Sequence, residues 1–195
     1  MRILIIIPAL FVSLFLGTPS YSADFDKGLT AAQNGDFAAA FKEWKPLAEQ
    51  GLAKAQFNLG VMYEYGDGVP QDYKEAVRLY RLAAEQGFAR AQFNLGVMYE
   101  YGHAVPQDYK EAVRLYRLAA EQGFADAQFN LGTFYGNGTG VVQDFVYAHM
   151  WLNIAASNGV DKGNKKEIER KLTTSDISEA QKLARECVKK NYKGC

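Results

Sequence analysis

Residues 55–90 read AQFNLGVMYEYGDGVPQDYKEAVRLYRLAAEQGFAR, and residues 91–126 repeat them at 33 of 36 positions. The three differences are Asp67 to His103, Gly68 to Ala104 and Arg90 to Asp126. A third copy, 127–162, keeps 16 of the first copy's 36 residues, among them Leu131, Gly132, Gly138, Asp144 and Ala148. Upstream, residues 36–54 match the second half of the unit at the same spacing, within a shortened copy at 25–54. A period of this length admits few architectures, because one such unit cannot bury its apolar face alone and must stack on its neighbours.

Within a unit the apolar spacing is helical. Ala55, Leu59, Met62 and Tyr63 share one face of a first helix ending near Gly66, and Ala76, Tyr80, Ala83 and Ala84 line a second helix ending at Gly87. Asp72 with Glu75, and Asp108 with Glu111, read as capping boxes. Small residues such as Gly60 and Ala76 let the paired helices approach closely. Each unit is thus a helical hairpin, and the stack predicts an all-α, right-handed α-solenoid over 24–162. Residues 163–195 read as a C-terminal cap. There, Thr173 and Asp176 start a last helix with Ile177, Ala180, Leu183, Ala184, Cys187 and Val188 on one face.

Residues 1–22 have the layout of a secretory signal peptide: Arg2, an apolar run from Ile3 to Leu16, then small residues up to Ser22. The run is short for a membrane-spanning helix, which needs about 20 apolar residues. The expected location is therefore the periplasm or the extracellular space. With 22 basic and 22 acidic residues the chain lacks the footprint of a general nucleic-acid binder. The charge is unevenly placed: residues 24–161 hold 11 basic and 17 acidic residues, and residues 162–195 hold 10 and 5. The basic cap is a surface for an acidic partner or for self-association.

The pattern Ala, three residues, Leu-Gly, two residues, Tyr, then Gly-x-Gly-Val-x-x-Asp, then Ala-Ala-x-x-Gly resembles the Sel-1-like repeat, a relative of the tetratricopeptide repeat, over about residues 25–162. The resemblance implies a concave surface lined mainly by first helices, and a bacterial scaffold or adaptor. In the second unit His103-Ala104 replaces a loop glycine, so a different turn is expected there. The resemblance also carries an enzyme alternative, since some cysteine-rich relatives are described as binding or hydrolysing β-lactams, but this chain lacks their cysteine pair in each repeat. A secreted, effector-like interaction protein is a third reading.

No phosphate-binding Gly-x-x-x-x-Gly-Lys run, Gly-x-Ser-x-Gly elbow or His-Glu-x-x-His helix occurs, and the sequence implies no cofactor, metal or catalytic residue. His103 reads as a loop residue and His149 as packing in the last hairpin. Glu64 and Glu100 recur with the repeat and read as a solvated face. Cys187 and Cys195, eight residues apart in an exported chain, are either bridged or a buried small hydrophobe and a free terminal thiol.

Opposite the Leu59 face, Phe57, Asn58, Val61 and Tyr65 form a stripe repeated by Phe93, Asn94, Val97 and Tyr101 and begun again by Phe129 and Asn130. Its asparagines suit an extended peptide backbone and its rings the peptide's side chains. The same rings also suit packing between hairpins, and spacing alone does not separate the two readings.

Overall fold

The computed structural model describes residues 21–195; the signal-peptide reading lies almost wholly outside them. Four antiparallel hairpins follow one another: α1 (Tyr21–Gln33) with α2 (Phe37–Glu49), α3 (Ala53–Tyr65) with α4 (Tyr73–Glu85), α5 (Ala89–Tyr101) with α6 (Tyr109–Ala120), and α7 (Ala125–Asn137) with α8 (Phe145–Ser157). A short α9 (Asn164–Glu169) leads into α10 (Thr174–Lys189), which docks on α8. Each helix packs on the next in the chain through α8, which makes the molecule an α-solenoid. Its core is accordingly a string of apolar clusters along the stack rather than one centre.

The helix boundaries follow from local chemistry. Every second helix of a hairpin begins on an aspartate, Asp36, Asp72, Asp108 or Asp144, whose carboxylate accepts backbone N–H bonds of the first turn. The expected capping boxes are only half formed. Glu75 turns away from the Asp72 backbone to pair with Arg78 at 2.6 and 2.8 Å, and Glu111 does the same with Arg114. The reciprocal box does form at Thr173 and Asp176, and bonds from the Thr173 backbone and hydroxyl hold the Asp176 carboxyl below its usual range. First helices α3, α5 and α7 end on Gly66, Gly102 and Gly138 in the left-handed conformation.

One glycine in each of these hairpins answers to contact. A side-chain carbon at Gly60 would stand 2.7 Å from the Tyr80 ring, and one at Gly96 2.8 Å from that of Tyr116, so only glycine lets the partner helix close in. The loop at His103-Ala104 does not take a different turn. Ala104 adopts φ +57°, close to the +72° of Gly68, because the loop is docked on the preceding hairpin, where His103 stacks on Tyr73 with ring centroids 5.1 Å apart. Alanine there carries strain of about 1 kcal/mol.

A spine of buried amides joins the hairpins, and the sequence reading missed it. Gln56, Gln92 and Gln128 donate Nε2 to the carbonyls of Ala48, Ala84 and Ala120 at 3.1, 3.2 and 3.1 Å, satisfying the last turn of the preceding second helix. Their Oε1 atoms accept from Gln86, Gln122 and Asn158, at the end of the second helix of the same hairpin, at 2.7, 2.7 and 2.8 Å. The buried amides are therefore paired on both ends.

In the cap, Ala180, Ala184 and Cys187 are buried, whereas Val188, placed on the same face by spacing, is exposed. Cys187 and Cys195 form a disulfide with Cα atoms 5.6 Å apart. His149 packs in the last hairpin, fully buried, with Nε2 3.1 Å from Glu169 Oε1 and Nδ1 2.9 Å from the Asn153 amide.

Candidate binding groove

First helices and the residues that head them line one groove. Phe25 and Leu29 of α1, Lys54, Phe57 and Asn58 of α3, Phe88 and Arg90 at the head of α5, and Phe124 at the head of α7 line a groove of about 590 Å³. Its floor is aromatic: Phe57 and Phe88 stand 5.3 Å apart, and one unit on Phe124 pairs at 5.1 Å with Phe93, which lies outside the lining. Lys54 and Arg90 are the charged groups of its lining.

The stripe inferred from spacing divides between this groove and packing. Phe57 and Asn58 face the groove. Phe57 and Val61 also pack against one inter-hairpin cluster, Phe93 and Val97 against the next, and Phe129 is buried beneath Lys162, whose Nζ is 4.8 Å from the ring centre. Tyr65 and Tyr101 are exposed at the far end of their helices. Leu29, Phe88 and Phe124 escaped the helical wheel. The last two occupy the N-cap positions of α5 and α7, and their signal was recurrence at one place in the unit.

Asn94 is anchored: it donates to the Tyr80 hydroxyl at 3.1 Å, and Asn130 stands near the Tyr116 hydroxyl at the same place one unit on. Tyr80 in turn donates to Glu64 at 2.5 Å and Tyr116 to Glu100. Glu64 and Glu100 are thus half-buried acceptors of a repeated relay rather than a solvated face. Burial, and then the glutamate bond and charge, push both phenols far above their usual range. Asn58 meets no equivalent tyrosine, because Trp44 stands at that place in the preceding hairpin, with its Nε1 donating to the Phe25 carbonyl.

Among the described residues no cluster of potential metal ligands occurs, and no helix is long and apolar enough to cross a membrane.

A stack of helical hairpins with an aromatic inner groove defines a helical-repeat protein. The model of the Sel1 repeat matches residues 53–88, 89–124 and 125–160, more than half of the chain, and the chain belongs to this family. The fold is similar to that of a Sel1 repeat protein from Oxalobacter formigenes, with a TM-score of 0.67 and 29% identity over 86% of this chain and 77% of that one. It is also similar to c5321, a protective antigen present in uropathogenic Escherichia coli strains, with a TM-score of 0.62 and 27% identity over 88% of this chain and 47% of the other. Among curated proteins, DAP3-binding cell death enhancer 1 of Rattus norvegicus is 40% identical over 50 residues, and its Mus musculus counterpart 38%. That match spans 26% of this chain and 10% of either relative. Sel1 repeats generally mediate protein–protein interaction, and the fold is typically a non-catalytic scaffold.

Proposed function

We propose that the chain is an exported, non-catalytic scaffold of the bacterial cell envelope that holds a protein segment or peptide in the concave groove. The observation that carries this reading is the convergence of α1, α3, α5 and α7 on one aromatic trough edged by Lys54, Asn58 and Arg90. An apolar floor with a few convergent polar groups suits a peptide's side chains and backbone together. Export is supported by the Cys187–Cys195 bridge, since disulfides persist in oxidising compartments. A photo-crosslinking residue at Asn58 is expected to capture a protein partner in native envelope, while one at Val142, an exposed loop residue outside this lining, captures none. Equal labelling from the two positions would count against the groove. Recovery of the protein in the cytoplasmic fraction with residues 1–22 retained would count against export.

A further inference from the structure

The solenoid already holds one tyrosine ring, supplied by its own tail. Tyr192 lies against Gly123, with a ring carbon 3.2 Å from where a side-chain carbon of that glycine would stand. Its hydroxyl meets Asn158: the Asn158 Nδ2 donates to it at 3.2 Å, and it donates to Asn158 Oδ1 at 3.3 Å. The backbone bends to permit this. Asn191 and Tyr192 are both left-handed, at φ +51° and +64°, a conformation that non-glycine residues hold only where their contacts enforce it.

Gly123 and Asn158 are repeat positions. One unit earlier they are Gly87 and Gln122, and two units earlier Gly51 and Gln86. A side-chain carbon placed on either of those glycines would meet no atom within 4 Å, so the place filled at Gly123 by the Tyr192 ring is open at both. Gln86 and Gln122 commit Nε2 to the amide spine and to the carbonyls of Leu82 and Leu118. Their Oε1 atoms accept no hydrogen bond among the described residues, leaving free the kind of acceptor that Asn158 Oδ1 offers to Tyr192. Gly87 and Gln122 also stand in the lining of the concave groove, beside Phe88 and Phe124.

We propose that Gly87 with Gln122, and Gly51 with Gln86, are seats for tyrosine side chains of a bound protein segment: the ring lies on the glycine and the phenol donates to the glutamine Oε1. The inference rests on the groove reading and adds to it the residue type that the partner presents. It is selective because a hydroxyl bonded to an otherwise unused acceptor separates tyrosine from phenylalanine.

The test is NMR titration of the disulfide-intact protein, residues 23–195, with N-acetyl-L-tyrosinamide, and with N-acetyl-L-phenylalaninamide as the comparison. Saturable shifts are expected at the Gly51 and Gly87 amides and at the side-chain amides of Gln86 and Gln122, with the phenylalanine compound roughly three- to tenfold weaker. Gly87→Asn keeps a residue that tolerates the left-handed backbone while filling the seat. It should abolish the response at that seat and leave the response at Gly51. Three results would overturn the proposal: no shift at either glycine, equal affinity for the two compounds, or resonances at both seats that move with protein concentration in the wild type but not in Tyr192→Ala. The last would assign the seats to the tail of a second copy. The crosslink at Asn58 reads the groove without reference to tyrosine, so failure of the seats and failure of the groove are separable.

Discussion

The second and third units share a backbone and differ in what their second helices meet. Both keep the spine glutamine (Gln92, Gln128), the close-packing glycine (Gly96, Gly132) and the capping aspartate (Asp108, Asp144). At the equivalent places Glu111, Val113, Arg114 and Leu115 become Tyr147, His149, Met150 and Trp151. The second unit turns its Glu111–Arg114 pair to water, while the third buries His149, Met150 and Trp151 near α9 and α10. The relay disappears as a set: Glu100 becomes Gly136 and Tyr116 becomes Leu152, and Ile168 of the cap crowds the new glycine. Positions that satisfy backbone are held constant along the stack, and positions that read the neighbour change when the neighbour changes.

The sharpest way to break this comparison is to truncate the two equivalent side chains. Trp151→Ala should cost about 4 kcal/mol, against about 3 kcal/mol for Leu115→Ala, measured by urea unfolding; equal costs would mean that the cap adds little burial. The relay gives the next effect. A phenol whose folded pKa is raised stays neutral in the native state while the unfolded chain ionises, so its contribution is complete below the ordinary value of 10.0 and is lost as pH rises beyond it. At about 1.4 kcal/mol per pH unit for each phenol, the pair loses about 3 kcal/mol by pH 11. Tyr80→Phe with Tyr116→Phe should flatten that alkaline slope in an unfolding series across pH 9–11.

Smaller contrasts sharpen the picture. A methyl at Gly132 would meet Leu152 Cγ at 2.9 Å and the Ala148 carbonyl at 3.0 Å, whereas at Gly96 the first atoms met belong to the Tyr116 ring. Backbone yields less than a ring, so Gly132→Ala should cost about 3 kcal/mol and Gly96→Ala about 1–2 kcal/mol, read from thermal unfolding. Cys195→Ser opens an eight-residue separation and should remove about 2 kcal/mol, with hydrogen exchange rising in α8 and α10 and unchanged in α3. The smallest change is a gain. Ala104→Gly should stabilise by about 1 kcal/mol, while the reverse exchange, Gly68→Ala, destabilises by more, because its methyl would stand 2.8 Å from Phe37.

The hairpins were legible because period, caps and terminal glycines act within a few residues. The amide spine was not, since Gln56 and Gln92 look alike on the page whether they meet solvent or the Ala48 and Ala84 carbonyls of the preceding hairpin. The loop at Ala104 misled because glycine's absence speaks to local preference, whereas docking on Tyr73 fixes the turn. The stripe was half legible. A helical wheel orders Phe57, Val61 and Tyr65 by angle, but only the docking of one hairpin on the next decides which rings touch it. Phe88 and Phe124 precede their helices and fall outside any wheel.

The glutamine spine has a mechanical consequence. Each junction between hairpins is crossed by the same buried glutamine-to-carbonyl bond, whose glutamine is braced by a second amide bond within its own hairpin, so pulling the two ends apart loads every junction in series with nearly equal resistance. Under force the molecule should lengthen in steps of one hairpin, and the α6–α7 junction, where Tyr192 of the covalently closed tail lies against Gly123, should be the last to part.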